Sequence, residues 1–217
     1  MRTEDVLRPV LLMIGLLGAW LAGSLRLRLS STSPSIGART FVPHGTILLV
    51  ALVAIPTTLQ FVIPWLLPLF ERDRAMFFAG QWWRIVTTLV VQDGGISGAI
   101  FNVITLAVVA SVAEAMAGGR KLLLLFVVGG VCAEVVALSW QPVGAGNSIA
   151  NFSVAGGVIA CCLMRPRPWR IVAVALVTLT AHLALLVMHD IHGAAALIGF
   201  ALGQILIWLP RRGRERR

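Results

Sequence analysis

Apolar residues run through this chain in long blocks, separated by short polar connections that carry most of the arginines. The blocks cover 9–25, 46–70, 94–113, 122–140, 148–164, 171–188 and 191–210. Each is close to the roughly 20 residues that an α-helix needs to cross a bilayer. The block at 46–70 is longer and carries Pro56, Pro64 and Pro68. It predicts a helix to about Gln60 and then a bent interfacial segment. The pattern as a whole predicts seven membrane-spanning helices and an all-α polytopic fold.

Punctuation divides the chain unevenly. The stretch 30–43 is rich in Ser, Pro and Gly and reads as a linker. It sets one N-terminal transmembrane helix (1–28) and a cytoplasmic linker (29–45) apart from a six-helix core (46–210) and a basic cytoplasmic tail (211–217). The first block has a basic flank like a signal peptide. It is long and lacks a small-residue cleavage site before Arg26, so it reads as a retained helix. The chain shows no internal repeat, which weighs against an inverted-repeat transporter.

Composition fixes the solvent. Of 217 residues, 58% are hydrophobic and only 12% charged, with a mean hydropathy of +0.90. A soluble domain of this length needs more charge to cover its surface. The net charge of +9 would suggest nucleic acid in a soluble protein. Here the cations flank apolar blocks and fill the tail, where anionic headgroups are the natural counter-charge. With the tail in the cytoplasm, only Arg2, Arg8, Arg72, Arg74 and Arg84 of the 18 basic residues fall on the outer side. The asymmetry predicts an N-terminus outside and a C-terminus inside. Cys132, Cys161 and Cys162 form neither a disulfide framework nor a metal-ligand spacing, and read as packing residues.

Polar residues within such helices call for a reason. This topology puts Asn102, Ser148 and His192 near the outer ends of three helices that all run inward, so they share one depth. A serine hydroxyl becomes a nucleophile when a base takes its proton, and neutral histidine is the usual base. The developing oxyanion needs fixed donors. A helix N-terminus at Ser148 supplies free backbone N–H groups, and Asn102 could add a side-chain donor. The loop Gly144, Ala145, Gly146 and Asn147 gives the backbone room to bend around a carbonyl. Small residues on the helix after Ser148 (Ser153, Gly156, Gly157, Ala160) and on the one after His192 (Ala195, Gly199, Gly203) suit close packing of the two. The competing structural roles are a helix N-cap for Ser148, an interfacial histidine for His192 and a helix–helix hydrogen bond for Asn102. Asp190 lies two residues before His192, and on a helix it would not face it, so no triad is expected. Glu134 and His182 have no assigned partner and default to helix packing.

Taken in order, these residues resemble the rhomboid family of intramembrane serine proteases. Gln81, Trp82, Trp83 and Arg84 look like the tryptophan–arginine motif of the first external loop. Asn102 followed by Glu114 matches the second core helix, and Gly146-Asn147-Ser148 is similar to the G-x-S of the nucleophile motif. Phe152 stands where the family puts an aromatic against the histidine, and His192 with Gly199 matches the histidine helix. The likeness covers 80–203. It implies a Ser148–His192 dyad, with Asn102, Asn147 and Ser148 as oxyanion donors. Gly146, Phe152, Gly199, Trp83, Arg84 and Glu114 are then supporting residues. It further implies cleavage of transmembrane protein substrates near the outer face of a cell membrane, with no cofactor or metal. Two departures lie near the chemistry: Ile149 replaces the second glycine of G-x-S-G, and Gly98 stands where the family often has a histidine donor. The alternatives are a catalytically silent rhomboid-like protein that holds transmembrane partners, and a small transporter or channel using Glu134 and His182.

Overall fold

The computed structural model describes residues 3–30, 42–164 and 168–208. Most of the linker, the basic tail and Arg165 and Arg167 lie outside the described residues. Among the described residues ten α-helices follow in order: α1 (Thr3–Ser30), α2 (His44–Leu59), α3 (Leu66–Phe70), α4 (Arg74–Phe78), α5 (Arg84–Thr87), α6 (Gly95–Ala117), α7 (Gly119–Trp140), α8 (Ser148–Leu163), α9 (Trp169–Val187) and α10 (Ile191–Trp208). The seven longer ones fall on the seven apolar blocks. Glu4–Leu29, Gly95–Ala117, Gly119–Trp140 and Trp169–Val187 are long and apolar enough to cross a membrane, and α2, α8 and α10 are shorter apolar helices. The segment after α2 bends at Gln60 and continues through α3, as the prolines predict.

α8 is the axis of the bundle. Every residue from Ile149 to Ala160 is buried, so this helix is apolar all round because it has neighbours all round. It packs against α1, α6, α7, α9 and α10. Its 16 residues span only about 24 Å, less than the roughly 30 Å of a hydrocarbon core. α8 is also shorter than α1, α6, α7 and α9, which all pack on it.

The approach of α10 to α8 is closer than side chains permit. A methyl group at Gly156 would lie 1.8 Å from Ala196 O, and one at Gly199 would lie 1.9 Å from Ser153 O. Backbone thus meets backbone at both glycines, the geometry for which small residues at four-residue spacing are suited. α1 is equally well seated, with Leu16, Ala19 and Ala22 buried in the common core. It packs on α6, α8 and α9.

At the end of the bundle away from Ser148, α2 begins without a side-chain cap of its own. Glu114 on α6 supplies it, accepting from Gly45 N at 2.9 Å, Thr46 N at 2.6 Å and Thr46 Oγ1 at 2.8 Å.

At the Ser148 end, the segment between α2 and α6 folds over the helices. Residues Arg72–Asp73 pair antiparallel with Val143–Gly144, joining this segment to the loop that leads into α8. Arg84 is buried, and its Nη1 donates to Pro68 O at 2.7 Å and Glu71 O at 2.9 Å. It holds the segment from within by satisfying carbonyls at the end of α3, while Trp82 and Trp83 are exposed. Glu134, expected to pack without a partner, instead forms a fully buried ion pair with Arg72.

The α8–α10 contact yields a direct test. Gly199→Leu has no side chain to displace, only the Ser153 carbonyl, so the helices must part. The expected cost is about 3 kcal/mol or more, read as a lower thermal-unfolding midpoint in detergent. An unchanged midpoint would mean that the helices do not touch there.

Candidate active site

Ser148 is the first residue of α8, and the N-cap position belongs to Asn147, which makes no side-chain cap. The serine hydroxyl is therefore not spent on capping, and the first-turn N–H groups of α8 carry no side-chain cap. Across the glycine contact, α10 begins at Ile191 and brings His192 to the same level. His192 Nε2 lies 3.0 Å from Ser148 Oγ. Phe152, one turn along α8, sets its ring edge-on to the imidazole at 4.9 Å between centroids.

The other imidazole nitrogen is also engaged. His192 Nδ1 lies 2.7 Å from Asp190 Oδ1, which also accepts from the His192 backbone N at 2.9 Å. The sequence argument against Asp190 assumed helical geometry at both positions, and that assumption fails. Asp190 precedes α10, behind a left-handed His189 (φ 54°), and folds back over the first turn as a cap. The readable signal was an aspartate just before an apolar helix, a common N-cap arrangement. A proton on Nδ1 donates to Asp190 and leaves Nε2 to accept from the serine.

Burial works to raise the Asp190 carboxyl. The hydrogen bonds and charge of His192, with Arg8 beyond, outweigh it and hold the carboxyl below the ordinary carboxylate range.

Beneath the serine lies a network that the sequence did not announce. Asn102 Nδ2 donates to Gln92 Oε1 at 2.7 Å, and Gln92 Nε2 donates in turn to Asn147 Oδ1. The Asn147 amide reaches Asn102 O at 3.3 Å and Asn151 Oδ1 at 3.1 Å. Gln60 pins the Gln92 backbone from α2, donating to Gln92 O at 2.7 Å and accepting from Gln92 N at 2.8 Å. The Asn147 side chain is thus turned into the protein, leaving only its backbone for a substrate. Asn102 has a second amide proton beyond the one given to Gln92.

Gly146 is required here twice over. Its φ is +152°, and a side chain on it would lie 3.0 Å from Gln92 Oε1, 3.5 Å from Ser148 Oγ and 3.7 Å from Asn102 Nδ2. Those three polar atoms converge on open space that only glycine leaves free. Gly146 and Ser148 also border a cavity of about 480 Å³, with Arg72, Asp93, Ile149 and His192 in its wall, while Asn102 and Gln92 lie behind its lining. Its floor is stitched to the preceding segment by Thr88 Oγ1 donating to Gly144 O, Gly146 N to Thr88 O and Ala145 N to Asp93 Oδ2. Ile149 is 6% exposed and sits in the cavity wall, and the position of Gly98 is open.

This half-buried serine–histidine contact stands at the start of a short central helix in a bundle of apolar helices, the fold of an integral membrane protein. Comparison gives the family. A model described as the Rhomboid domain matches residues 79–213, more than half of the chain. The chain belongs to the rhomboid family. It is 24% identical over 149 residues to the Rhomboid protease GluP of Bacillus subtilis (strain 168), an overlap of 65% of this chain and 29% of that protein. The chain spans less than a third of that relative's length.

The Asp190 contacts predict a pH response with a definite sign. A carboxyl depressed by folding stabilises the fold above about pH 4, and that stabilisation is lost as pH falls through the depressed value. Unfolding midpoints of wild type are expected to decline more steeply below about pH 4 than those of Asp190→Asn. Parallel curves would show that the contacts do not stabilise the carboxylate.

Proposed function

We propose that the protein is an intramembrane serine endopeptidase that cuts transmembrane segments of other proteins near the outer face. Carrying this reading is the 3.0 Å approach of His192 Nε2 to Ser148 Oγ, with Asp190 on the opposite nitrogen. Family membership and the named protease among its relatives support it. The arginine distribution supports a site on the outer side, with the C-terminus in the cytoplasm.

On this reading the chemistry is acyl transfer. Ser148 Oγ attacks the substrate carbonyl carbon while Nε2 takes the hydroxyl proton. The imidazolium is stabilised by Asp190, as in other serine hydrolases. The carbonyl oxygen, now an oxyanion, is met by backbone N–H groups at Asn147 and Ser148 and by the free amide proton of Asn102. The tetrahedral intermediate collapses to an acyl-serine, and the departing amine takes the proton from Nε2. Water then repeats the attack and gives a proton to Nε2, and as the second intermediate collapses to the new carboxyl group that proton returns to the departing Ser148 Oγ.

The departures fit this arrangement without blocking it. Ile149 borders the cavity and leaves the dyad in contact, and Gln92 holds Asn102 where no histidine stands at 98. A transporter reading loses one of its two candidates, since Glu134 is engaged by Arg72, while His182 is buried against Phe152. A silent, partner-holding protein remains the competing reading, favoured by the missing donor at Gly98.

Labelling of the purified chain by a fluorophosphonate, which needs an activated serine but no known substrate, separates the two. Wild type is expected to label, and Ser148→Ala and His192→Ala to lose labelling. Asn102→Ala should slow it about a hundredfold. Persistent labelling of Ser148→Ala would sink the assignment, and an unlabelled but folded wild type would favour the silent protein.

A further inference from the structure

The N-terminal helix α1 lies outside the residues matched by the family model, yet it reaches the site at two points. Near its start, Arg8 Nε lies 3.3 Å from Asp190 Oδ2. One side of the Asp190 carboxylate thus holds His192 and the other meets Arg8. Two turns along, α1 passes so close to α8 and α9 that a methyl group on Gly15 would lie 2.8 Å from Phe152 Cε1 and 2.9 Å from His182 Nε2. Phe152 is the ring that lies against His192, so the α1 backbone forms the wall behind it.

We propose that α1 positions His192: Arg8 fixes Asp190, which orients the imidazole, while the α1 backbone at Gly15 seats Phe152 against the same ring. This rests on the protease reading for its consequence in catalysis, though the positioning itself does not. Arg8 touches no reacting atom, so it is a positioning residue.

The reasoning is electrostatic and steric. Asp190 is 2% exposed, and a buried carboxylate is held in place by being compensated on both oxygens. Without Arg8, Oδ2 loses its cation, and the carboxylate gains by swinging toward water and away from Nδ1. The groups around it come from several elements: Arg8 from α1, His192 from α10, Ser148 from α8, and His189 turned onto Trp140. Arg72 and Asp93 line the cavity from the loop side. Arg8 is the cation in direct contact among the described residues. Its side chain is about half-exposed, so its removal leaves the bundle packed.

Two measurements on the full chain in detergent test this together. Histidine-selective NMR, assigned with His192→Gln, reads the proton on His192 Nδ1, and fluorophosphonate labelling reads Ser148. In wild type the Nδ1 proton is expected to be protected from exchange. Arg8→Gln should speed its exchange and slow labelling about fivefold, and Arg8→Lys should recover most of both. A Nδ1 proton that is unprotected in wild type, or unchanged in Arg8→Gln, overturns the proposal whatever the labelling does. If wild type fails to label while its Nδ1 proton responds to Arg8→Gln, the protease reading fails and the positioning by α1 stands. If wild type labels and Arg8→Gln leaves the Nδ1 proton unchanged, the protease reading survives and the role of α1 does not.

Discussion

Ser148 and His192 are 44 residues apart in the chain and belong to helices separated by a third. Their contact depends on α8 and α10 meeting backbone to backbone at Gly156 and Gly199. Membrane helices gain little by hiding apolar surface from one another, because lipid is as apolar as leucine. What holds them is close packing over a matched surface, and small residues allow the closest packing. The site is therefore not an addition to the bundle. The same glycine seam that makes α8 and α10 adhere fixes the serine–histidine distance at their common end.

An apolar solvent creates a second demand. Backbone that leaves a helix there must find partners within the protein. The loop into α8 finds them in the segment between α2 and α6, through the short strand pair and the bonds from Thr88 and Asp93. That segment is itself held by charge. Arg72 reaches inward to Glu134 and donates to Gln141 O, while Arg84 gathers the carbonyls at the end of α3. Removing one partner of a buried pair such as Arg72–Glu134 leaves a charge that nothing compensates. These residues bind no substrate in the scheme above, but they shape the loop that borders it.

Much of this was legible in the chain because lipid imposes a simple code. Apolar blocks of the right length became the seven longer helices, and the three prolines after Thr46 marked the bend. The serine, histidine, Asn102 and Phe152 could be placed by depth and by family order. What the sequence hid were contacts set by conformation or by distance along the chain. Asp190 was misjudged because two residues apart means opposite faces in a helix, but an N-cap folds back over the first turn. Glu134 looked solitary because its partner lies 62 residues away, in a loop whose path no periodicity describes. Gln92 ties Asn102 to Asn147, a partner 55 residues further along the chain, through a loop that likewise follows no periodicity.

The polar network also explains how this chain can depart from the family pattern near its serine. A donor absent at position 98 leaves open space, since nothing lies within 4 Å of a side chain there. A lone Asn102 beside such a space would be free to rotate. Gln92 removes that freedom by accepting one amide proton, and Gln60 fixes Gln92 through both its backbone groups. Donors aimed in advance stabilise developing charge without reorganising at the moment of reaction. An orientation held by two buried glutamines does for Asn102 what Asp190 does for His192.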